Sequence, residues 1–418
     1  MVVMDKRELT NDQITSDRVR ILHTADWHIG KQLHKYSLEE DHRLFFDWLI
    51  EYVKSRKINL LLVSGDVFDT AFPSATSLRQ YYQFLTSLIA VNCRIVITAG
   101  NHDSPAVLNA PSDILSHLNI NVVGDVSSFP DRCYVALPES NLAVAAIPFL
   151  RDADLRKSVS GMNYTDRLTQ IREGISRYYQ NILEFHKENY PEFGLIGMGH
   201  LHVSGVETSE SEREVHVVGN LAAFELNHFP KGYEYIALGH IHKPQKLADR
   251  IRYSGSPIPL SFSEREDPKF VVELEFDKGA LTSQNLIKIP QWRELRSFAG
   301  NLIEVKEQLD KYDPKSILEP FVEVHVTEAN YDPQIHLQFE QMLQEYENAR
   351  FRIIKPRLTF ENRLKDAADL FATGVEIEDL SPRQVFLRRL ESEEMETEQR
   401  ELLRTAFDEL LGEISIGE

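Results

Sequence analysis

Five short apolar segments recur along the first part of this chain, and polar residues that can bind metals follow each of them directly. The segments are Val19–Thr24, Ile58–Ser64, Cys93–Ala99, Leu195–Met198 and Tyr235–Leu238. Their residues are mostly apolar on both faces, which is typical of buried strands in an α/β sheet. Helical spacing in Leu38–Lys54 and Ser77–Ile89 predicts helices between the strands. The pattern therefore predicts α/β organisation.

The polar clusters stand where the predicted strands end. They are Asp26-Trp27-His28, Gly65-Asp66-Val67-Phe68-Asp69, Gly100-Asn101-His102-Asp103, Gly199-His200 and Gly239-His240-Ile241-His242. Ligands of open α/β sheets bind beyond the carboxyl ends of the strands, so we expect five loops to deliver these side chains to one place. In four of the clusters a glycine directly precedes the polar residue, and its missing Cβ permits a sharp turn at a crowded centre.

The side chains in these clusters suit a pair of divalent ions. Imidazole and oxygen ligands without cysteine are typical of sites for Mn, Fe or Zn. The candidate ligands number more than one ion needs, and they are Asp26, His28, Asp66, Asn101, His200, His240 and His242. Two ions that share one bridging carboxylate fit this set, and such a pair is suited to phosphoryl displacement.

These clusters together resemble the calcineurin-like metallophosphoesterase pattern. The sequence motifs around them resemble those of the SbcD subunits of bacterial SbcCD nucleases. These motifs are HTADWHIGK (23–31), SGDVFDTAFPS (64–74), GNHDSP (100–105), ALGHIHKPQ (237–245) and YSGSPIPLSFSE (253–264). The resemblance implies an α/β fold with a four-layer sandwich of two β-sheets flanked by helices. It also implies a smaller α+β capping domain and a C-terminal helical hairpin.

The resemblance assigns a role to each matching position. It implies a first metal held by Asp26, His28 and His242, a second held by Asn101, His200 and His240, and a bridge through Asp66. His102 would reach the scissile phosphate, stabilise developing charge and protonate the leaving oxygen. Asp69 would be the carboxylate that orients His102.

The same resemblance implies activity and partners. The family cleaves DNA as a double-strand exonuclease and as a single-strand or hairpin endonuclease, prefers Mn²⁺, and acts in DNA repair, recombination and replication. It implies a homodimer within a heterotetramer that contains an SbcC-type ATPase. This partner would bind ATP, because the chain lacks a phosphate-loop motif. The alternatives are a stand-alone phosphodiesterase or phosphatase for small substrates, which the second domain disfavours, and a non-catalytic scaffold subunit, which the complete ligand set disfavours.

The sequence predicts four regions, namely a flexible extension (1–18), the nuclease domain (19–290), a capping domain (291–370) and a helical partner-docking segment (371–418). In the capping domain, strands are predicted at Glu294–Phe298, Phe321–Thr327 and Phe351–Thr359, and helices at Asn301–Leu309 and Pro333–Tyr346. Basic residues cluster near its end, at Arg350, Arg352, Lys355 and Arg357. They either bind DNA phosphates without contacting the bases, or they are charges on a solvated edge strand that prevent it from pairing with another chain.

The last segment carries two apolar stripes at helical spacing. They contain Phe386 and Leu390 in one helix and Leu403, Phe407 and Leu411 in the other. A segment this short cannot bury both stripes by itself. It either folds back on its own domain as a hairpin or docks onto another protein.

Charge and cysteine content limit the partners and the compartment. The net charge of −19 argues against DNA binding by simple charge attraction. Residues 374–418 account for −8 of that charge, with 13 acidic and 5 basic residues. Two cysteines cannot form a disulfide framework in a chain of this length. We expect a cytoplasmic protein without a membrane span or a signal peptide.

Overall fold

The computed structural model describes residues 18–155, 164–207 and 224–362, together with several positions between 386 and 407. The chain divides into two compact units. The first comprises residues up to Arg296 together with Lys315–Phe321, and the second comprises Ser297–Pro314 and residues from Val322 onward. The division falls shortly after residue 290, where the sequence predicts the domain boundary. The return of 315–321 to the first unit has no counterpart in that prediction. The predicted extension at 1–18 lies almost entirely outside the described residues.

The first unit alternates strands and helices along the chain. Its described strands are β1 (Arg18–Thr24), β2 (Gln32–Leu33), β3 (Tyr36–Ser37), β4 (Leu60–Ser64), β5 (Arg94–Thr98), β6 (Ile120–Val123), β7 (Tyr134–Leu137), β8 (Leu142–Ala146), β9 (Gly194–His200), β10 (Tyr235–Gly239), β11 (Gln245–Ala248), β12 (Ile251–Tyr253), β13 (Phe270–Asp277) and β14 (Ala280–Lys288). Its described helices are α1 (Glu39–Arg56), α2 (Ala75–Ala90), α3 (Pro105–Asn109), α4 (Ser112–Ser116), α5 (Asp152–Leu155) and α6 (Tyr164–Asn189). The five predicted strands correspond to β1, β4, β5, β9 and β10, and both predicted helices are present as α1 and α2.

Two mixed sheets form the centre of the first unit. One has the order β14-β13-β1-β4-β5-β6, and the other has the order β11-β12-β10-β9-β8-β7. Strands β1, β4, β5 and β6 run parallel, as do β8, β9 and β10. The strands that precede the polar clusters are therefore neighbours within each sheet, and their carboxyl ends open at the same edge.

The two sheets pack face to face, and helices cover their outer faces. Ile21 and Leu62 of the first sheet share one buried core with Ile196 of the second. On the outer face of the first sheet, the hydroxyl of Tyr52 in α1 donates to Glu273 in β13 at 2.8 Å. On the second sheet, the hydroxyl of Tyr179 in α6 donates to the carbonyl of Met198 in β9 at 3.1 Å. The expected four-layer sandwich is confirmed.

The second unit is a small α+β domain. Its described elements are β15 (Leu295–Gly300), α7 (Leu302–Lys311), β16 (Phe321–Glu328), α8 (Pro333–Glu345) and β17 (Arg352–Phe360), with the sheet order β15-β16-β17. The residues of both helices and of the sheet bury a common core that contains Val305, Val324 and Phe339. All five elements lie where the sequence predicts them, within a few residues at each end.

Part of the last segment is also described. Phe386, Leu390, Leu403 and Phe407 are helical, and the rings of Phe386 and Phe407 stack with centroids 3.8 Å apart. This contact joins the two predicted helices as a hairpin would. Leu411 lies outside the described residues. No helix in the described part of the chain has the length and apolar character needed to cross a bilayer.

Candidate metal centre

Hydrogen bonds between the loops bring the five strand ends together. The amide of Asp26 donates to the carbonyl of Gly65 at 3.1 Å, which ties the first loop to the second. The amide of His240 donates to Asp26 Oδ1 at 2.8 Å, which ties the fifth loop to the first. Nδ1 of His200 lies 3.0 Å from the carbonyl of Ser64. Loops from both sheets therefore form a single site.

Glycines allow the loops to approach this closely. A Cβ at Gly100 would lie 2.0 Å from Asp66 Oδ1, and one at Gly239 would lie 1.8 Å from the carbonyl of Ser64. Asp26 and Asp66 themselves have positive φ angles of 53° and 47°. The backbone turns sharply at these positions, so their carboxylates face the centre. The expected role of glycine beside a crowded site is confirmed for Gly100 and Gly239.

Asp66 occupies the middle of the site. Its Oδ2 lies 3.5 Å from Nε2 of His28 and 3.3 Å from Nε2 of His200. Its Oδ1 accepts the amide hydrogen of His102 at 2.9 Å. One carboxylate thus reaches ligand candidates on both sides, which is the geometry that a bridging ligand needs.

The side-chain oxygen of Asn101 contacts two imidazole nitrogens of the site. Oδ1 of Asn101 lies 3.0 Å from Nε2 of His200 and 3.0 Å from Nδ1 of His240. These atoms come from loops that follow β5, β9 and β10. An oxygen and two imidazole nitrogens in this arrangement fit a divalent transition metal.

The remaining ligand candidates around Asp66 are Asp26, His28 and His242. The ring centroids of His28 and His242 are 5.1 Å apart. Oδ2 of Asp26 and Nε2 of His28 are buried, and neither makes a hydrogen bond with the described residues. Buried polar atoms without a hydrogen-bond partner are costly, so two of them beside Asp66 fit a site that binds cations. The candidate ligands present therefore fit two metal ions.

The charges of the site also favour cations. Burial raises the pKa of Asp26 to about 7, although His200 and His242 oppose the shift. Burial disfavours protonation of His200, but the carboxylates of Asp66 and Asp26 outweigh it and raise the pKa of His200 to about 9. A bound divalent ion would favour ionised carboxylates and neutral imidazoles at both positions.

Asp69 does not contact His102 in the way the sequence predicts. Its carboxylate lies 3.2 Å from Nδ1 of His28 and 3.1 Å from Nζ of Lys31. Nδ1 of His102 instead lies 2.9 Å from the main-chain carbonyl of Asp69. The amide of Asp69 is bonded to the carbonyl of Ile29, and this contact holds the residue beside the first loop, where its side chain meets His28.

Two buried acids support the site and were given no role by the sequence. Asp103 accepts the amide hydrogens of Val67, Phe68 and Gly100 at 2.8–3.0 Å, which fixes the second loop against the third. Glu264 contacts Nδ1 of His242 at 3.0 Å. Both residues stand inside the matched words GNHDSP and YSGSPIPLSFSE. Asp103 also stands in the polar cluster after the third predicted strand, whereas Glu264 has no signal other than its matched motif.

The basic residues predicted to face DNA lie on β17 of the second unit or shortly before it. Lys355 forms an ion pair with Glu323 at 2.6 Å, and Arg350 forms one with Asp313. Arg352 and Arg357 lie on β17 and are exposed, and β17 is the last strand in the order of its sheet. Carboxylates therefore offset part of this positive charge.

Comparison with known proteins identifies the family. Residues 19–244 match the calcineurin-like phosphoesterase family, and residues 291–394 match the family described as the type 5 capsule protein repressor C-terminal domain. The SbcD protein of the Escherichia coli K12 nuclease SbcCD is 31% identical over 401 residues, which cover 93% of this chain and 97% of that protein. The chain belongs to the SbcD family of calcineurin-like phosphoesterases.

Other SbcD proteins show the same likeness. The Bacillus subtilis protein is 30% identical over 371 residues, which cover 86% of this chain and 91% of that protein. The Rhodobacter capsulatus protein is 36% identical over 282 residues, which cover 63% of this chain and 67% of that protein. The resemblance drawn from the sequence motifs is therefore confirmed at the level of the family.

Proposed function

We propose that this chain is the metal-dependent DNA nuclease subunit of an SbcCD-type complex and hydrolyses phosphodiester bonds. One observation carries the proposal. Ligand candidates from five strand ends surround Asp66, whose Oδ2 lies within 3.5 Å of imidazole nitrogens on both sides. A non-catalytic scaffold has no need to keep such a set complete. Double-strand exonuclease and single-strand or hairpin endonuclease activities are the proposed reactions.

Two divalent ions, with Mn²⁺ as the proposed metal, are the cofactors. Asp26, His28 and His242 would hold the first ion, Asn101, His200 and His240 the second, and Asp66 both. When bound, such a pair activates water and stabilises charge on the oxygens of a phosphodiester. The mixed imidazole and oxygen donors fit Mn²⁺.

His102 is the proposed catalytic residue of the chain. Its ring is half-buried, and the ring centroid lies 4.8 Å from that of His28. Because Nδ1 donates to the carbonyl of Asp69, the ring is held in one orientation and Nε2 is available for substrate. From this position Nε2 would donate to a phosphate oxygen and transfer its proton to the leaving oxygen. The carboxylate of Asp69 would act on His28, as a positioning residue.

The proposed partners are DNA, an SbcC-type ATPase and a second copy of this chain, in a cytoplasmic heterotetramer that acts in DNA repair and recombination. Residues 371–418 are proposed to dock onto the ATPase. The partial exposure of Leu403, at 44%, supports an apolar surface that is not fully used by the hairpin itself. Contact of Arg350, Arg352, Lys355 and Arg357 with DNA phosphates remains a proposal, and the ion pairs of Arg350 and Lys355 favour the alternative of a charged strand edge.

The proposal is tested with purified protein, Mn²⁺ and end-labelled duplex or hairpin DNA, with and without the ATPase partner. We expect DNA cleavage that depends on Mn²⁺ and is lost in Asp66→Asn. Hydrolysis of a small phosphodiester without DNA cleavage in either condition would instead identify a stand-alone phosphodiesterase. Loss of all hydrolysis in a protein that binds Mn²⁺ would identify a scaffold.

A further inference from the structure

His242 has a buried carboxylate behind it. Nδ1 of His242 lies 3.0 Å from Oε1 of Glu264, and the residue Glu264 is only 1% exposed. Glu264 stands 22 residues after His242, so this contact arises from the fold and not from local geometry. A buried carboxylate needs a reason to be there, because it is costly unless it is paired.

Glu264 is itself held in place from the opposite side. Its Oε2 accepts a hydrogen bond from Nζ of Lys269 at 2.6 Å and one from the amide of Leu260 at 3.2 Å. Lys269 is 6% exposed, so the ion pair is buried. The Glu264 carboxylate therefore acts only as an acceptor. Nδ1 of His242 must carry the hydrogen of their shared bond, and the lone pair of Nε2 is left for coordination.

A second proposed ligand shows the same arrangement. Nδ1 of His28 faces the carboxylate of Asp69 at 3.2 Å. The hydrogen bond of Nδ1 of His200 is to the carbonyl of Ser64 at 3.0 Å, and Oδ1 of Asp26 lies farther away at 3.8 Å. Both carboxylate-backed imidazoles belong to the same proposed metal. A carboxylate behind an imidazole fixes its tautomer and raises its basicity as a ligand.

We propose that Glu264, held by Lys269, is a positioning residue for His242 and selectively strengthens binding of the first ion. The inference rests on the proposed function, because it requires a two-ion centre. Glu264 touches neither substrate nor metal in this account. It acts through the orientation and basicity of one imidazole.

The competing explanation is that Glu264 and Lys269 are merely a buried ion pair that stabilises the fold. The chain offers a matched control in Glu273, which is also 1% exposed. Glu273 pairs with Arg56 at 2.9 Å and accepts from Tyr52 on the outer face of the first sheet. Loss of either carboxylate should lower stability, but only one of them should alter metal binding.

The experiment is an Mn²⁺ titration of the full chain in which electron paramagnetic resonance measures the free ion. Wild type, Glu264→Gln, Glu264→Gln/Lys269→Met and Glu273→Gln are compared, and circular dichroism shows that each is folded. Glu264→Gln leaves the buried charge of Lys269 without its partner, and the double variant removes that charge. The double variant is used if Glu264→Gln does not fold. We expect the loss of Glu264 to raise the dissociation constant of one ion by roughly ten- to hundred-fold. The dissociation constant of the other ion should change less than about threefold. In Glu273→Gln, the dissociation constants of both ions should change less than about threefold.

Two results would overturn the inference. One is a folded Glu264 variant that binds both ions as the wild type does. The other is an equal loss of affinity for both ions in the Glu264 variants and in Glu273→Gln. This result would show that the loss of affinity comes from lower stability in general. Wild type that binds no Mn²⁺ would overturn the proposed function together with this inference. Wild type that binds two ions without cleaving DNA would overturn the proposed function alone.

Discussion

Nδ1 of His102 lies 2.9 Å from the main-chain carbonyl oxygen of Asp69, and the carboxylate of the same residue lies 3.2 Å from Nδ1 of His28. One residue therefore orients two histidines through two different groups. The backbone of Asp69 fixes the proposed catalytic residue, and its side chain fixes a proposed metal ligand. This separation determines what each substitution should do.

Asp69→Asn should weaken Mn²⁺ binding without changing the pH dependence of DNA cleavage. An asparagine keeps the main-chain carbonyl that holds His102 but removes the negative charge of the carboxylate beside His28. We expect the dissociation constant of one ion to rise about tenfold. Mn²⁺ titration and a pH–rate profile at saturating Mn²⁺ provide the measurement. A shifted pH–rate profile with unchanged Mn²⁺ affinity would instead support the predicted pairing of the Asp69 carboxylate with His102.

His102→Ala should reduce DNA cleavage by a factor on the order of 10²–10⁴, because it removes a proposed proton donor. The Mn²⁺ content of the purified variant should remain close to that of wild type. Cleavage rate and metal content are measured on the same preparation. Because an atom of His102 lies within 4.8 Å of atoms in His28 and Asp66, a parallel loss of metal would instead make His102 a ligand.

Gly100→Ala should abolish Mn²⁺ binding by displacing Asp66. The added Cβ would lie 2.0 Å from Oδ1 and 2.3 Å from the amide nitrogen of Asp66, so the carboxylate cannot stay in place. Gly205→Ala is the control, since a Cβ there meets no atom within 4 Å and adds only the strain of a positive φ of 82°. Equal Mn²⁺ affinity in the two variants would contradict the central position of Asp66.

Stability should fall as the pH falls because of His23. Burial lowers the pKa of His23 to about 3 from its usual 6.5. The unfolded chain therefore binds a proton below pH 6.5 that the folded chain does not bind until about pH 3. Between these values, His23 should decrease the free energy of unfolding by about 1.4 kcal/mol per pH unit. Its contribution is absent above this window.

The measurement compares wild type with His23→Gln by urea denaturation at several pH values from 6.5 to 4.5, without metal. The variant should show a shallower slope, and His117→Gln, at an exposed position, should keep the slope of wild type. Parallel slopes for all three proteins would show that His23 stays neutral in both states or charged in both.

Leu403→Glu should weaken binding of the ATPase partner with little change in the melting temperature. Leu403 is 44% exposed, so a charge there disturbs an apolar surface more than a core. Ile303→Glu, at a position in the second unit that is 73% exposed, is the matched control and should keep partner binding. Binding is measured by pull-down and calorimetry. A Leu403→Glu protein that melts much earlier while binding normally would favour a hairpin that packs on its own domain.

The motifs and apolar runs predicted much of the fold and the meeting of the candidate ligands at one place. Each candidate ligand follows a strand whose apolar run is visible in the sequence, so the sheet edge and its side chains could be placed together. The partner of His102 could not be predicted, because the orientation of Asp69 depends on its amide contact with Ile29. Glu264 was missed because its contact with His242 spans 22 residues and follows no local periodicity.

Strands β7, β8, β11 and β12 of the second sheet escaped prediction. Strands such as Tyr134–Leu137 and Ile251–Tyr253 are brief, and their alternation is too short to distinguish from loops. The return of residues 315–321 to the first unit depends on contacts such as the guanidinium of Arg293 lying 4.0 Å from the centroid of the Phe321 ring. No residue pattern along the chain announces a contact of this kind.

The five strand ends should assemble one two-metal centre bridged by Asp66. Anomalous diffraction from crystals grown with Mn²⁺ tests it most directly, because the ions are located without reference to activity. We predict two anomalous peaks about 3.5–4 Å apart, with Asp66 in contact with both, His28 and His242 at one and His200 and His240 at the other. A single peak, or two peaks that Asp66 does not join, would contradict the account.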